Sequence, residues 1–359
     1  MREEMDAIDG QELLMPVVHP AELWRATGRY DAPAPGPALL RFKDRVGHDM
    51  VLAMTHEEVV AALARQELHS YRQLPLMVYH IQTKFRDEPR SRGGLIRVRE
   101  FTMKDGYSIH LTSESLDEYY PRMYQAYVNV FARCGLKTIS VEADTGIMGG
   151  AASHEFMAIN EAGEDTLILC PACGYAANAQ KAQFVKGEGV RGPEAPLERV
   201  PTPGATTIAV VAQLLGVETR QTLKAVFRST PGGQVIVAVI RGDLDVNETK
   251  LSNALGGVEL HVSTEEELEA AGIVAGYASP VGLSGLTVIG DDSIRSGNNF
   301  VAGANQAGYH FTNVNYPRDM SVDAITDIAL ARSGDPCSRC GSPLRSTRGI
   351  EVGHLFKLG

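Results

Sequence analysis

The sequence has no long hydrophobic run and no signal-like beginning. No window approaches the ~18 uninterrupted apolar residues of a membrane helix, and the opening segment Met1–Asp6 is mostly charged. We therefore expect a cytoplasmic protein. At 359 residues, the chain is longer than the length at which one hydrophobic core usually stops growing, so two or more domains are expected.

An excess of positive charge is also missing. The formal net charge is −10, which argues against a protein that coats nucleic acid non-specifically. Residues 84–104 are the exception, because they contain seven cations and three anions. This local charge suits phosphate binding, and the alternative is a solvated basic face.

Four of the five cysteines form two Cys-x-x-Cys pairs, Cys170 with Cys173 and Cys337 with Cys340. In a cytoplasmic chain such pairs favour zinc over disulfides. Because 163 residues separate the pairs, a shared tetrahedral ion requires the chain to leave one domain, build another, and return. The alternative is two unrelated surface turns. Cys134 is expected to be a small buried apolar residue.

The basic segment has the pattern of a long β-hairpin with a basic turn at residues 89–94. The strand-like runs on either side are Val78–Arg86 and Leu95–Ser108. Arg86 and Glu88 are two residues apart and share a strand face, as do Arg97 and Phe101 on the return strand. A cation, a carboxylate and an aromatic ring on one surface can hold a nucleotide. An ordinary basic hairpin is the alternative.

The composition changes at residues 186–203, which have almost nothing to bury and predict a linker. A G-x-G-x-x-G string at 187–192 matches a dinucleotide-binding fingerprint, but Pro193 follows directly and no capped helix opens, so we assign it to the linker. Residues 204–330 then show a new α/β pattern that can form a domain by itself. The predicted helices are 206–215, 247–255 and 264–271, and the predicted strands include 222–229, 234–241 and 258–263.

Five short motifs occur in one order and spacing. They are Thr55-His56-Glu57-Glu58, Gln82–Glu88, Arg99–Asp105, Asp144-Thr145-Gly146 and Gly149–Phe156. Together they resemble prolyl-tRNA synthetase of the bacterial type, with the hairpin as motif 2 of a class II synthetase and residues 349–354 as the return into the core. The resemblance implies an α+β fold. It consists of an antiparallel class II core (1–185 and 331–359), a linker (186–203) and an inserted YbaK-like α/β editing domain (204–330).

The resemblance implies a homodimeric proline–tRNA ligase, which activates proline with ATP and Mg²⁺ and transfers it to tRNA(Pro). Arg86 would bind the α-phosphate and stabilise the pentacovalent transition state. Glu88 would bind the adenine amino group, Phe101 would stack on the ring, and Arg97 would hold the outer phosphates. The proline pocket would be lined by Thr55, Glu57 and His154. A carboxylate suits proline because a desolvated secondary ammonium needs an anionic partner.

The inserted domain resembles deacylases that hydrolyse mischarged alanyl-tRNA(Pro). A proline pocket cannot strongly exclude alanine, because each methylene is worth only ~1–3 kcal/mol; a second site is the physical remedy. The implied editing residues are Lys224, Gly276, Pro280, Asp291 or Asp292, and His310. Lys224 would contact the 3′-terminal phosphate or adenosine, the Gly276–Pro280 loop would donate backbone hydrogen bonds to the ester carbonyl, and His310 would shape the pocket. Without the resemblance, Lys224 would be a snorkelling surface lysine.

A class II enzyme also needs a motif 3, G-x-G-x-x-R, whose arginine clamps the γ-phosphate, and the sequence contains no match. We therefore expect a fragment that begins within motif 1, lacks motif 3 and the anticodon-binding domain, and activates proline weakly or not at all. The alternative is a stand-alone trans-editing hydrolase with a vestigial core. Residues 204–330, excised alone, are expected to fold and to hydrolyse alanyl-tRNA(Pro).

Overall fold

A computed structural model describes residues 1–31, 39–88, 91, 93–143 and 152–358. They form two compact units, which are taken one at a time. Unit 1 contains Met1–Thr138 with the chain end from Lys357, and unit 2 contains Ile139–Phe356. Among the residues described, no helix is both long and apolar enough to span a membrane.

Unit 1 is built around a long hairpin. Its helices are α1 (Arg2–Asp6), α2 (Ala21–Ala26), α3 (Glu57–Glu67) and α4 (Ser113–Arg133). Its strands are β1 (Gly10–Glu12), β2 (Val18–Pro20), β3 (Leu40–Lys43), β4 (Asp49–Leu52), β5 (Leu76–Phe85) and β6 (Glu100–Ile109). β5 and β6 pair antiparallel from Leu76 with Ile109 to Phe85 with Glu100, and β1 pairs with β5 in parallel. β2, β4 and β3 form a second small sheet.

The return strand of the hairpin begins later than predicted, at Glu100 instead of Leu95. Residues 93–96 form a turn, in which Gly93 and Gly94 have positive φ angles of 67° and 65°. Such angles belong to the left-handed region, which interrupts a strand. The prediction of Leu95 as the start of the strand was therefore wrong.

Unit 2 contains a closed barrel and two further sheets. The barrel strands are β7 (Thr138–Glu142), β8 (Ala152–Ile159), β9 (Asp165–Leu169), β10 (Ala176–Asn178) and β19 (Arg345–Lys357), in the order β10-β7-β8-β19-β9. β9 comes before the 186–330 segment and β19 after it, and they pair antiparallel from Arg345 with Leu169 to Gly349 with Asp165. The chain therefore returns to the same barrel after building the intervening structure.

The intervening structure has two sheets. Their strands are β11 (Glu198–Pro201), β12 (Leu223–Ser229), β13 (Val235–Arg241), β14 (His261–Val262), β15 (Thr287–Asp291), β16 (Phe300–Gly303), β17 (Tyr309–Val314) and β18 (Ala324–Thr326). One sheet has the order β14-β12-β13-β15-β18 and the other β11-β17-β16. Every residue of β13 is buried, as expected for a central strand in which all residues before the final arginine are apolar. The helices are α5 (Ile208–Leu215), α6 (Glu248–Ala254) and α7 (Glu265–Ala270).

Part of the predicted linker is regular structure. β11 pairs with β17, from Glu198 with Thr312 to Pro201 with Tyr309. An edge strand needs main-chain hydrogen bonds more than buried side chains, so a segment with little to bury can still pair. The inserted domain was predicted to start at Gly204, after β11. The hydrogen bonds of β11, however, are made with β17, which lies inside that predicted domain.

Two smaller expectations also differ from the structure. The predicted strand 258–263 shortens to β14, which pairs with β12 through two residues only. Cys134 is exposed instead of buried, because it is the C-terminal cap of α4 and lies beyond the buried stripe of that helix.

Candidate active sites

The loop end of the β5/β6 hairpin carries the predicted nucleotide residues. The Arg86 backbone N–H donates to the carbonyl of Arg99 at 2.8 Å, and the Arg86 guanidinium carbon lies 5.3 Å from the centre of the Phe101 ring. Arg86 Nε is buried and has no hydrogen-bond partner among the residues described. Because buried donors are normally paired, this N–H is available to an incoming anion.

Glu88 and Arg97 contact each other across the hairpin. Arg97 Nε donates to Glu88 Oε2 at 3.0 Å, and the Arg97 side chain remains 43% exposed. Glu88 was predicted to bind adenine and Arg97 the outer phosphates. A nucleotide must therefore either break this ion pair or bind to the two side chains while they remain paired. Arg90 and Arg92 of the basic turn lie outside the described residues.

Thr55 and Glu57 come together at the start of α3. The Thr55 hydroxyl donates to Glu57 Oε2, and Arg29 Nη1 lies 3.6 Å from the same oxygen. Burial raises the pKa of Glu57, and the hydrogen bond from Thr55 opposes that shift. A desolvated carboxylate with one distant cation favours a second cation close by. The predicted ammonium site is chemically reasonable on these grounds.

A buried charged cluster beside Thr55 and Glu57 was not expected from the sequence. Lys84, which the sequence analysis counted among the phosphate-binding cations, is fully buried, with Nζ 2.9 Å from Asp105 Oδ1. His56, His80 and Tyr107 complete this group, which we call the Lys84 cluster. Burial, and then the charge of Lys84, lower the pKa of His56 to about 3. The sequence feature that could have revealed this cluster is the pairing of the two predicted strands, which places His80 directly opposite Asp105.

His154 lies on β8 in unit 2, and burial lowers its pKa. The next residue, Glu155, accepts a hydrogen bond from Asn178 at 3.2 Å and lies 4.0 Å from His354 of β19. Residues 144–151, which include the Asp144-Thr145-Gly146 motif, lie outside the described part of the chain. The role of His154 in a proline pocket stays a prediction.

The two cysteine pairs converge, as predicted. The Sγ atoms of Cys170, Cys173, Cys337 and Cys340 all lie within 4.8 Å of one another, and the Cys170–Cys340 and Cys173–Cys337 separations are 3.5 and 3.7 Å. Four thiolates around zinc with ~2.3 Å bonds in tetrahedral geometry would lie about 3.8 Å apart. The backbone N–H of Arg339 also points at Cys337 Sγ, at 3.4 Å. The donor set and its spacing therefore fit a zinc ion.

A small cavity of about 110 Å³ in unit 2 brings several predicted editing residues together. Its lining includes Lys224, Gly276 and His310, together with Thr206 and Thr207 at the start of α5. Gly276 has a φ of 79°, and a Cβ added there would lie 3.0 Å from the Thr206 side chain. Glycine is therefore required by both conformation and space.

The polar side chains of this cavity are held in place. Lys224 Nζ donates to the Leu244 carbonyl at 2.7 Å and to Asp245 Oδ1 at 2.6 Å, and burial lowers the pKa of this lysine. His310 is 5% exposed, and its Nδ1 lies 2.6 Å from Thr202 Oγ1. Burial also lowers the pKa of His310, which favours the neutral ring. The cavity therefore combines a cation with a largely desolvated imidazole.

Asp291 and Pro280 are not among the described residues that line this cavity. Asp291 is fully buried at the end of β15, where it accepts hydrogen bonds from the backbone N–H groups of Ser293 and Ile328, each at 2.9 Å. Asp291 Oδ2, the oxygen that accepts from Ile328, also lies 2.7 Å from Lys186 Nζ. These contacts show that Asp291 holds the end of β15 in place. The sequence pattern, an aspartate after a strand, does not distinguish this structural role from a role in a pocket. Asp292 is the exposed neighbour.

A family model described as the tRNA synthetase class II core domain (G, H, P, S and T) matches residues 40–358. The chain therefore belongs to the class II tRNA synthetase core family, and the predicted α+β fold class is confirmed. The match runs through the hairpin that carries Arg86 and through both cysteine pairs.

The curated relatives are proline–tRNA ligases. The chain is 53% identical over 359 residues to the one from Dehalococcoides mccartyi, and the aligned region covers all of this chain and 63% of that protein. It is 50% identical over 367 residues to the one from Salinispora tropica, covering 100% and 61%. The chain thus spans less than two thirds of these relatives. A solved structure titled Giardia lamblia prolyl-tRNA synthetase in complex with prolyl-adenylate overlaps 46% of this chain and 35% of its own, at 20% identity and TM-score 0.41.

Proposed function

We propose that this chain forms the proline-activating core of a proline–tRNA ligase together with a hydrolytic site that removes alanine from tRNA(Pro). The observation that carries the first part is the buried Nε of Arg86, which has no hydrogen-bond partner in the described part of the chain and lies in a side chain next to the Phe101 ring. The relatives of about 50% identity named proline–tRNA ligase support the choice of amino acid. Homodimer assembly rests on the sequence resemblance alone, and a cytoplasmic location stays an expectation from the composition of the sequence.

Activation would begin with attack of a proline carboxylate oxygen on the α-phosphorus of ATP. That bond forms as the bond to pyrophosphate breaks, and negative charge gathers on the α-phosphate oxygens. The Arg86 guanidinium would stabilise this charge, and the Phe101 ring would hold the adenine face. Mg²⁺ would neutralise the leaving pyrophosphate.

Glu57 would bind the secondary ammonium of proline. Its carboxylate is desolvated, and its nearest cation, Arg29, is 3.6 Å away. An incoming ammonium would therefore add a close partner to an under-compensated anion. Thr55 fixes the carboxylate orientation by donating to Oε2.

We predict that Glu57→Gln weakens L-proline binding about tenfold or more, because it removes one side of a charge-assisted pair. Isothermal titration calorimetry on the 359-residue chain measures this dissociation constant. Glu67→Gln, an exposed change at the end of the same helix, is the matched control and should bind proline as the unaltered chain does. Equal affinities of all three proteins would remove Glu57 from the pocket, and no proline binding by any of them would refute the proposed substrate.

The cavity around Lys224 and His310 would carry the hydrolytic step. A water oxygen adds to the ester carbonyl of alanyl-tRNA(Pro), and the ester bond to the terminal ribose breaks, so that alanine and free tRNA leave. Lys224 would stabilise the charge of the tRNA end or of the oxyanion, and the loop at Gly276 would supply backbone donors. The small volume would exclude a pyrrolidine ring, since a larger side chain is rejected by steric clash.

Lys224→Ala is expected to lower alanyl-tRNA(Pro) hydrolysis by about 10²-fold, the usual effect of losing one charge-stabilising group. Release of labelled alanine from preformed alanyl-tRNA(Pro) gives the rate, and circular dichroism checks that the protein is folded. The control is Arg220→Ala, which removes an exposed cation paired with Glu218 just before the same strand. A folded Lys224→Ala protein with full activity would remove this lysine from the site.

We also propose that Cys170, Cys173, Cys337 and Cys340 hold one structural Zn²⁺. The metal would tie the connection between the barrel strands β9 and β10 to the segment before β19, where the chain re-enters the barrel. A closed four-thiolate site has no open position for a substrate, so its role is to stabilise this junction.

The purified chain should contain about one equivalent of zinc, and Cys340→Ser should lose most of it, because a site of three thiolates binds more weakly. Inductively coupled plasma mass spectrometry measures the metal, and thermal unfolding should occur at a lower temperature in the variant. Cys134→Ser, which alters the exposed cysteine outside the group, should change neither quantity. Zinc retention by Cys340→Ser at the level of the control would contradict the proposed ligand set.

A further inference from the structure

Lys84 is a lysine with no exposed surface, on a strand that leads to the nucleotide site. Its ammonium nitrogen lies 2.7 Å from His56 Nδ1, 2.9 Å from His80 Nε2 and 2.9 Å from Asp105 Oδ1. An ammonium has three N–H donors and no acceptor. Two histidine nitrogens are therefore within hydrogen-bond distance of the ammonium, and the Asp105 carboxylate forms a close ion pair with it. The same carboxylate oxygen lies 2.8 Å from His80 Nε2, so these buried groups are packed against one another.

Hydrogen bonds to three residues hold His56 in place within the cluster. His56 Nε2 donates to the carbonyl of Pro16 at 2.9 Å, since a carbonyl can only accept, and this leaves Nδ1 to accept from Lys84. The backbone N–H of His56 donates to the Tyr107 hydroxyl at 3.2 Å. That hydroxyl in turn donates to Asp105 Oδ2 at 2.6 Å. The ring and the backbone of His56 are thus both tied to the Lys84 cluster.

His56 stands between the two residues of the amino-acid pocket. Thr55 precedes it and Glu57 follows it as the first residue of α3. His56 is the N-terminal cap of that helix, yet its side chain makes no capping hydrogen bond. Caps usually fix a helix start through the side chain. Here the hydrogen bonds to Lys84, Tyr107 and Pro16 take that place.

A role in stability alone explains this arrangement poorly. Burying several charged and polar groups together is a weak source of stability, and apolar replacements of similar size are often as stable. Such groups can instead define one geometry, because an arrangement that separates the buried ammonium from its carboxylate leaves both charges uncompensated. The geometry defined here is the path of the backbone from Thr55 to Glu57.

We propose that the Lys84 cluster is a positioning device for amino-acid recognition, in which Lys84, Asp105 and Tyr107 set the placement of Thr55 and Glu57 without touching the substrate. The proposal rests on the proposed function, since it assumes that Thr55 and Glu57 bind proline. Tyr107 is the residue through which the proposal can be tested with least disturbance, because its hydroxyl connects Asp105 to the backbone of His56.

The test compares Tyr107→Phe with Tyr79→Phe by calorimetry with L-proline on the full chain. Tyr79 lies on β5 of the same hairpin, is 1% exposed, and donates to Asp6 at 2.8 Å, so its variant also loses one Tyr–Asp hydrogen bond. Tyr107→Phe should weaken proline binding about five- to tenfold, the effect of one lost buried hydrogen bond. Tyr79→Phe should lower the melting temperature by a similar amount and leave proline affinity unchanged.

Asp105→Asn provides a second variant of nearly the same shape, and it should weaken proline binding at least as much as Tyr107→Phe. If the unaltered chain binds proline and both cluster variants bind it equally well, the positioning role is wrong while the proposed function stands. Equal loss of affinity in Tyr79→Phe would also overturn it, because the effect would then follow from stability. If the unaltered chain binds no proline, the proposed function fails, and the positioning role fails with it.

Discussion

The antiparallel register of β5 and β6 places Phe101, a proposed nucleotide-binding residue, on the same face of one hairpin as Lys84, His80 and Asp105. Directly opposed residues share a face, so Lys84 and Phe101 project together, as do His80 and Asp105. A slip of one residue would turn a whole strand over and send Lys84 or Asp105 to the opposite face. The buried ion cluster penalises such a slip, because an unpaired ammonium or carboxylate in the interior is strongly unfavourable. The register and the cluster therefore stabilise each other.

A second constraint governs unit 2. β9 and β19 are neighbours in one barrel, although the chain builds two sheets and three helices between them. The structure between β9 and β19 needs stabilising contacts near the two points where it connects to the barrel. The convergent cysteines provide such contacts, and Cys170 and Cys337 belong to a buried apolar group that also contains Ile240 and Ala329 of the intervening structure. The intervening structure, with its proposed hydrolytic site, is thus attached without breaking the barrel.

Local features of the fold followed well from the sequence. Helices α6 and α7 begin after Asn247 and Thr264, whose side chains accept the expected capping hydrogen bonds. The convergence of the cysteines also followed, because zinc chemistry constrains distance regardless of separation along the chain. The burial of individual polar side chains and the pairing of segments distant in the chain could not be predicted from the sequence. Nothing local shows that Lys84 points inward, that the 198–201 segment pairs with β17, or that Asp291 supports a strand, since each depends on a partner far along the chain.

Thr55 and Glu57 of unit 1 are proposed to recognise proline, and the Lys224–His310 cavity of unit 2 is proposed to remove alanine. The most direct test is the rate of alanyl-tRNA(Pro) hydrolysis by the unaltered chain, measured with and without L-proline at saturation of its calorimetric binding site. Two distinct sites predict the same hydrolysis rate in both conditions. Competitive inhibition by proline would contradict the account, because it would mean that one pocket receives both amino acids.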